Sequence, residues 1–327
     1  MSDIVTERSG NILRVMFNRP AKKNAMTSNM YLTLADLLNK ALQDEGIRVV
    51  LWHGAGDSFC AGNDIEDFLK NPPGRGQSPQ AILMSAFLNF DKPIVAAVHG
   101  AAVGGGTTML THCDFVYAGE STRFLMPFID LGVAPEFGTS ASVPARIGHI
   151  RADELILLGQ PFDAKRAAEL GFVTRVVPDG KLLETATETA QRLAQKPAGA
   201  LRASKRLMIG ATREQIEQAI KAELKEFSSL VRSVDAKETL TAFLEKRKRF
   251  PTSLMEAETT ARLFVFRQTC RATCGVTSGV ILVSSLSPSR RAVWWSLSPP
   301  RRLRYGVCSK ATSRAKLRPS SKAGSLV

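Results

Sequence analysis

Short apolar runs bounded by turn residues predict several strands in the first half of the chain. These runs are Ile4–Arg8, Ile12–Phe17, Val49–Trp52, Pro93–Val98 and Phe115–Ala118. Between them lie segments with apolar residues at helical spacing, the first beginning near Thr27 or Ser28, either of which can cap a helix. Strands that alternate with helices predict an α/β fold with a largely parallel sheet covered by helices.

From about Gly148 onward the pattern changes to helices alone. The predicted helices are Ala152–Leu158, Ala164–Leu170, Leu182–Gln195, Gly199–Met208, Arg213–Val231 and Ala236–Lys248. The longest carries one apolar stripe that runs from Ile216 to Val231. That stripe is more apolar than a lone surface helix needs, so the region from 199 to 250 is expected to contact other subunits.

Residues 251–327 have a different composition. They hold 13 Lys and Arg against two acids, and so account for +11 of the net charge of +14. The remaining balance of about +3 for residues 1–250 does not indicate nucleic-acid binding. The segment has no period of 2 or 3.6 and is predicted to be disordered. It is either a nucleic-acid or membrane-surface arm or a translated extension without a selected role; the abrupt change after Phe250 favours the extension.

Five scattered cysteines form neither a disulfide framework nor a metal site. Cys270 and Cys274 lack a second pair of ligands, so no metal is expected. The N-terminus has no apolar segment typical of a secretory signal, and no window approaches 18 apolar residues. The expected location is therefore cytoplasmic, with no membrane partner.

Two glycine-containing loops follow predicted strands. One is Phe59–Asp64, and the other is His99–Gly106, which opens into a helical segment. Small residues at such turns let backbone N–H groups approach a phosphate or a developing oxyanion. Dinucleotide binding and a nucleotide-cleaving phosphate loop are excluded, because Met109 stands where the third glycine belongs and no Gly-Lys-Ser/Thr follows.

Four motifs in order resemble the enoyl-CoA hydratase/isomerase (crotonase) superfamily. They are Asn18-Arg19-Pro20 with Asn24-Ala25-Met26, the Phe59–Asp64 loop, the Lys92–Gly106 segment and the Phe162–Val177 stretch. The resemblance covers residues 3–250 and no part of the tail. It implies repeated ββα units stacked into a spiral over residues 1–198, then a helical trimerisation region over 199–250, with 251–327 as the disordered tail.

The resemblance also implies which residues bind the substrate. Family members bind an acyl-CoA and stabilise an enolate-like oxyanion with two backbone N–H groups, at the positions of Asn63 and Gly105 here. The loop Ala61-Gly62-Asn63-Asp64-Ile65 is expected to pass close to the CoA moiety. No separate cofactor is implied, since coenzyme A is part of the substrate. The family architecture implies a homotrimer or a dimer of trimers, and no nucleic-acid partner.

The acid/base position separates the members of the family. Hydratases use two glutamates, and this chain has Thr108 and Phe128 at those positions. The segment Leu131–Gly138 is similar to the isomerase branch, in which Glu136 follows Pro135. Glu136 is therefore the expected catalytic residue, although a lone glutamate near a helix start is often a solvated charge. Apolar neighbours would raise its pKa and a helix N-terminus would lower it, so the net direction stays open.

The expected function is a peroxisomal-type Δ3,Δ2-enoyl-CoA isomerase of fatty acid β-oxidation, with one glutamate that moves the proton. The alternatives are an enoyl-CoA hydratase or another crotonase reaction, and, from another class, a non-catalytic acyl-CoA-binding protein. Among the other polar residues, His99 and His112 are expected to pack or hydrogen-bond, Asp64 to cap a helix, and Cys60 to behave as a small buried group.

Overall fold

The structure, a computed structural model, describes residues 2–70, 78–245 and 247, together with the backbone of three later strands. It divides into two compact units, Met1–Arg247 and Lys248–Val327. The predicted division of the first unit at residue 198 stays a prediction.

The strands of the first unit form two sheets. The strands are β1 (Ile4–Ser9), β2 (Ile12–Phe17), β3 (Val49–Gly54), β4 (Ile94–Val98), β5 (Ala101–Val103), β6 (Phe115–Gly119), β7 (Arg123–Leu125), β8 (Phe162–Asp163) and β9 (Arg175–Val177). The large sheet has the order β1-β2-β3-β4-β6-β9 and is parallel except for the β1–β2 hairpin. All five predicted strands are present. The sequence pattern missed β5, β7, β8 and β9, because runs of two or three residues are too short to show a period.

Helices cover the sheets and form the C-terminal part of the unit. They are α1 (Ser28–Gln43), α2 (Ile65–Lys70), α3 (Pro79–Asn89), α4 (Gly105–Thr108), α5 (Thr139–Ile147), α6 (His149–Leu157), α7 (Ala164–Glu169), α8 (Leu182–Ala194), α9 (Ala198–Leu230) and α10 (Val234–Leu244). Thr27 caps α1, since its side chain accepts a hydrogen bond from Met30 N–H. The two helices predicted between 199 and 231 are one helix of 33 residues, α9.

A repeated ββα arrangement connects the two sheets. In each of two repeats, β4–β5–α4 and β6–β7–α5, the first strand joins the large sheet and the second joins the small sheet β5-β7-β8. A bridge between Cys60 and Ala102 extends this arrangement to the chain that follows β3. The spiral of ββα units expected from the family resemblance is therefore confirmed.

Alternate residues of the central strands face two different cores. On β3, Trp52 points into the large core shared with α1 and α3, whereas Val49 and Leu51 face the core formed with α8. Ala186 and Ala190 are the small α8 residues on that side. A strand buried on both faces reads as a continuous apolar run, which explains the Val49–Trp52 pattern.

The apolar stripe of α9 packs within its own chain. Ile220, Phe227 and Val231 are buried in the large core, and Phe227 meets the ring of Phe68 edge-on at 5.7 Å. Packing within the subunit therefore accounts for much of the stripe, and the contact of residues 199–250 with another subunit stays a prediction. The most exposed large apolar residues of α9 are Leu207 and Met208.

In the second unit the structure describes three strands. They are β10 (Leu282–Ser285), β11 (Ala292–Ser298) and β12 (Arg302–Cys308), which form an antiparallel sheet. These strands depart from the expectation of a tail without regular structure. The rest of residues 251–327 lies outside the described residues, so the prediction for the tail as a whole stays a prediction.

Candidate active site

Two loops, one after β3 and one after β5, lie side by side. Val103 N–H donates to Cys60 O at 2.9 Å, and Cys60 N–H donates to Ala101 O at 3.1 Å. A Cβ atom on Gly106 would lie 2.4 Å from Cys60 O, and one on Gly62, where φ is +84°, would lie 2.7 Å from Val103 O. The close approach of the loops therefore requires glycine at both positions.

The backbone N–H groups of Asn63 and Gly105 stand in these two loops. Gly105 is the first residue of α4 and follows Gly104, whose φ of 52° turns the chain into the helix. Within the described part of the chain, neither N–H donates to a protein acceptor. Both groups are thus able to bind an oxygen atom, and their role as oxyanion donors stays a prediction.

Glu136 lies beside both loops, in the segment between β7 and α5. Its side chain is buried, and Asn63 Nδ2 donates to Glu136 Oε1 at 3.2 Å. The hydroxyl of Tyr31, on α1, donates to Asn63 Oδ1 at 2.8 Å. A Cβ atom on Gly105 would lie 3.0 Å from the same Glu136 oxygen. The structure therefore brings Asn63, Gly105 and Glu136 together and adds Tyr31 to them.

A left-handed turn follows Glu136. Phe137 has φ of 65° and Gly138 has φ of 67°. This conformation is unfavourable for phenylalanine, so the surroundings must hold it. His112 Nε2 lies 2.7 Å from Phe137 O, and the Thr139 hydroxyl donates to Glu136 O. The expectation that His112 is a hydrogen-bonded residue is confirmed.

Glu223, on α9, closes the same turn from the other side. Its Oε2 accepts the N–H of Gly138 and its Oε1 accepts the N–H of Ser140, each at 2.7 Å. The first residues of α5 have no capping side chain of their own. Glu223 therefore caps α5 with a carboxylate that comes from a distant helix.

The pKa of Glu136 is raised to about 8: burial is the largest cause, the negative charge of Glu223 acts in the same direction, and the Asn63 amide opposes both. Of the two influences that the sequence left open, the apolar surroundings therefore win over the N-terminus of α5. Part of the reason is that Glu223 already accepts the N–H groups of that helix end. A general base works best when its pKa lies near the working pH.

A small cavity of about 10 Å³ lies beside Glu136, which is roughly the space of one water molecule. It is bounded by α3 on one side and by α9 on the other. Its walls are Ser78, Gln80, Met84, Glu136, Glu223, Leu224 and Phe227. The carboxyl group of Glu136 is thus enclosed by side chains from two helices.

The predicted substrate loop Ala61–Ile65 divides into two parts. Asp64 is committed to structure: its Oδ1 accepts N–H groups of Glu66 and Asp67 at 3.1 Å, and its Oδ2 accepts Arg19 Nη2 at 3.0 Å. The prediction that Asp64 caps a helix is therefore confirmed. Burial raises its pKa, but the Asp67 N–H and Arg19 outweigh burial and hold the pKa below its ordinary value.

Residues Ala61, Gly62 and Asn63 precede this cap and form the part of the loop that faces Gly105. Ala61 N–H donates to Lys23 O at 3.0 Å, and Met26 N–H donates to Gly62 O at 2.7 Å, so the loop is fixed to the segment before α1. Its contact with a CoA moiety stays a prediction.

The two positions that carry glutamates in hydratases are buried and bear no carboxyl group. Thr108 is fully buried, and within the described residues its hydroxyl oxygen has no hydrogen-bond partner. Phe128 is buried in the large core. Neither side chain is able to hold a water molecule as a carboxylate does.

Other titratable residues show no comparable arrangement. Burial raises the pKa of both Cys60 and Cys113 to about 12, so neither thiol ionises near neutral pH. The Nε2 atom of His99 lies 3.0 Å from Gly56 O. In the described part of the chain, no group of three His, Cys, Asp or Glu residues is placed to hold a metal ion. Cys270 and Cys274 lie outside the described residues.

Sequence reasoning missed Tyr31 and Glu223. Tyr31 falls within the apolar pattern of α1 and reads as a core residue. Glu223 stands between Ile220 and Phe227 on the buried stripe of α9. A charge at a position where helical spacing demands an apolar side chain was the available signal, because buried charges need a partner.

None of the described helices is long and apolar enough to cross a membrane.

The model of the family described as "Enoyl-CoA hydratase/isomerase" matches residues 7–252.

The relatives that this chain resembles are named for different reactions. A probable enoyl-CoA hydratase of Bacillus subtilis (strain 168) is 35% identical, over 71% of this chain and 91% of that protein. Human enoyl-CoA delta isomerase 2 is 36% identical, over 67% of this chain and 57% of the human protein. A solved enoyl-CoA hydratase/isomerase from Pseudoalteromonas atlantica T6c is 36% identical, with a TM-score of 0.73 over 76% of this chain and all of that structure.

Proposed function

The chain belongs to the enoyl-CoA hydratase/isomerase family, and from this premise we propose that it is a Δ3,Δ2-enoyl-CoA isomerase. The substrate is a 3-enoyl thioester of coenzyme A, of the kind that arises in fatty acid β-oxidation. The observation that carries the proposal is the pairing of one buried carboxyl group, Glu136, with two N–H groups that have no acceptor among the described residues.

The first step is removal of a proton from C2. The thioester oxygen accepts the N–H groups of Asn63 and Gly105, which are fixed before the reaction and stabilise the negative charge that develops there. The ionised carboxylate of Glu136 takes the C2 proton, and the electron pair of that C–H bond is delocalised over the dienolate. Asn63 Nδ2 donates to Oε1, which leaves Oε2 for the proton.

The second step returns the same proton to C4. The electron pair moves back from the oxyanion, the 3-double bond becomes a 2-double bond conjugated with the thioester, and Glu136 is ionised again. Nothing is gained or lost, so no water and no cofactor takes part. One carboxylate suffices, which agrees with Thr108 and Phe128 at the hydratase positions.

A direct assay tests the proposal. The enzyme is incubated with 3-hexenoyl-CoA, and the absorbance of the conjugated enoyl thioester is followed. We expect rapid isomerisation by the natural chain and a loss of about 10²–10⁴-fold in Glu136→Gln, with binding of the acyl-CoA changed only a few-fold. Near-normal turnover by a folded Glu136→Gln variant would exclude Glu136 as the base.

Hydration of crotonyl-CoA distinguishes the rival reaction. The Bacillus relative is named as a probable hydratase, so this activity is the second candidate. We expect it to be negligible, because no second carboxylate stands at Thr108 or Phe128. Efficient hydration by the natural chain would replace the isomerase proposal. Acyl-CoA binding without either reaction would favour a non-catalytic acyl-CoA-binding protein.

A further inference from the structure

We propose that Glu223 of α9 is a positioning residue for Glu136: its carboxylate holds the left-handed turn after Glu136 and presents a fixed negative charge to the base. The inference rests on the proposed function, since it takes Glu136 as the base. It assigns a role in the site to the long C-terminal helix, from which the sequence predicted no active-site residue.

Contacts between α9 and the turn carry the mechanical part of the proposal. Glu223 accepts both Gly138 N–H and Ser140 N–H at 2.7 Å. A Cβ atom on Gly138 would lie 2.9 Å from a methyl carbon of Ile216 and 3.2 Å from Ile220. The turn is therefore pressed against two turns of α9, one of which also supplies the hydrogen-bond acceptor.

The strained residue makes this support necessary. Phe137 adopts a left-handed conformation, which is unfavourable for a residue with a Cβ atom and persists only when its surroundings fix it. His112 and Glu223 bind the C=O and the N–H of the peptide bond that joins this residue to Gly138. Since Glu136 directly precedes Phe137, a relaxed turn would move the carboxyl group away from Asn63 and Gly105.

The electrostatic part depends on which of the two glutamates is ionised. Burial raises the pKa of Glu223, but both of its oxygens accept backbone N–H groups at the start of a helix, and these bonds favour its ionised form. Glu136 receives one hydrogen bond, from the Asn63 amide, and shares its cavity with the apolar side chains of Met84, Leu224 and Phe227. Glu223 is therefore the carboxylate that keeps its charge, and Glu136 is the one that exchanges a proton.

The other titratable groups that face Glu136 are neutral near pH 7. Burial raises the pKa of Tyr31, on α1, and the pKa of Cys60, in the loop after β3. Burial lowers the pKa of His112, which precedes β6, to about 4. Asn63 and Gly105 carry no charge. Among the described residues, Glu223 is thus the charged group that acts on Glu136 at working pH.

Three variants separate the two parts of the role. Glu223→Gln removes the charge, Glu223→Asp keeps the charge but shortens its reach to the turn, and Glu226→Gln is a matched control on the exposed side of α9. For each, kcat and KM for 3-hexenoyl-CoA are measured from pH 5 to 10 together with Tm.

In Glu223→Gln we expect the acidic limb of kcat to move to lower pH, because Glu136 ionises more easily without the neighbouring charge. In Glu223→Asp we expect the acidic limb of kcat to stay at the pH of the natural chain. The value of kcat should fall about 10- to 100-fold, as expected for a displaced base, and KM should stay within a few-fold of its natural value. Glu226→Gln behaves as the natural chain. If Glu223→Gln lowers Tm but leaves both the limb and kcat unchanged, Glu223 has a structural role alone and the proposal is rejected.

A second measurement needs no Glu223 variant and no activity. Infrared titration of the natural chain and of Glu136→Gln follows the band of protonated buried carboxyl groups. We expect one such band at pH 7, lost near pH 8 in the natural chain and absent from Glu136→Gln. A protonated buried carboxyl that survives in Glu136→Gln would show Glu223 uncharged and overturn the proposal. Failure of the isomerase assay with the expected titration would instead reject the proposed function alone.

Discussion

At the scale of single residues, Asn63 has two separate duties. Its backbone N–H points to the substrate oxygen in the proposed mechanism, while its side chain joins Tyr31 to Glu136. A substitution therefore removes the second duty and leaves the first intact.

We expect Asn63→Ala to lower kcat about tenfold at pH 7 with little change in KM, since a hydrogen bond to a charged group is lost. The Asn63 amide lowers the pKa of Glu136, so its removal moves the acidic limb to higher pH. The loss of kcat in Asn63→Ala should accordingly be smaller at pH 10 than at pH 7. Asn29→Ala, at an exposed position of α1, is the control. An unshifted limb in Asn63→Ala would contradict the assigned contact.

Glu136 also links stability to pH. Its folded pKa of about 8 lies above its ordinary value of 4.5, so the folded state holds a proton that the unfolded state releases. The stability due to this group is complete below pH 4.5 and is lost as pH rises through 8. Glu136→Gln cannot ionise at this position. We therefore expect its Tm, relative to that of the natural chain, to rise between pH 5 and 9 and the difference to be constant at higher pH. Thermal melts across this range test it, and a constant Tm difference would mean that Glu136 is not buried as described.

Motif positions predicted Asn63, Gly105 and Glu136, and the structure places them together. Tyr31 and Glu223 were not predictable in the same way, because each joins the site from a helix distant in sequence. The net direction of the Glu136 pKa was equally out of reach. It depends on Glu223, which removes the free N–H groups of α5, and that contact spans 85 residues.

At the scale of elements, α9 is the main departure from prediction. Gly210 lies between the two helices predicted in this region, yet α9 continues through it. Tertiary contacts on both sides outweigh its low helix propensity. Lys205, before it, bonds to Lys92 O at 2.7 Å and to Asp114 at 2.8 Å, and Glu223, after it, caps α5.

Gly210→Ala should therefore stabilise the protein. A Cβ atom there meets nothing within 4 Å, and the backbone is helical, so we expect a gain of about 0.5–1 kcal/mol in the free energy of unfolding. Gly171→Ala is a matched control: it too has open space, but its φ is +73°, so it should destabilise. Urea unfolding of both variants measures the difference. Destabilisation by Gly210→Ala would mean that α9 bends at this position.

At the scale of the whole molecule, α9 and α10 leave apolar side chains unburied. Leu207 is 78% exposed, Met208 77% and Phe243 62%. Together with the family architecture, these residues favour a homotrimer, although the stripe that first indicated one lies inside the subunit. We expect sedimentation velocity to show a trimer, and Leu207→Lys with Met208→Lys to dissociate it. Leu183→Lys, at an exposed leucine of α8, is the control; a monomeric natural chain would contradict the expectation.

The C-terminal tail gives the second prediction at this scale. The family match ends at residue 252, and the first compact unit ends at Arg247. We expect deletion of residues 256–327 to leave isomerisation and Tm unchanged within error. Limited trypsin digestion of the full chain provides an independent check, since 13 Lys and Arg offer many cleavage sites. A truncation without activity, or a tail that resists trypsin beside a native core, would show that this segment matters.

The backbone N–H groups of Asn63 and Gly105, which have no acceptor among the described residues, have a consequence for mutational mapping of the site. Of the twenty amino acids only proline lacks a backbone N–H, so a saturation mutagenesis scan cannot delete either group alone. At Gly105 a larger residue also displaces Glu136, whose Oε1 would lie 3.0 Å from the new Cβ, and at Asn63 a substitution also removes the side-chain amide. Replacing the peptide bond by an ester, which has oxygen where the nitrogen stood, isolates each group. In the proposed mechanism, part of the activity therefore depends on backbone groups that every substitution except one to proline leaves in place.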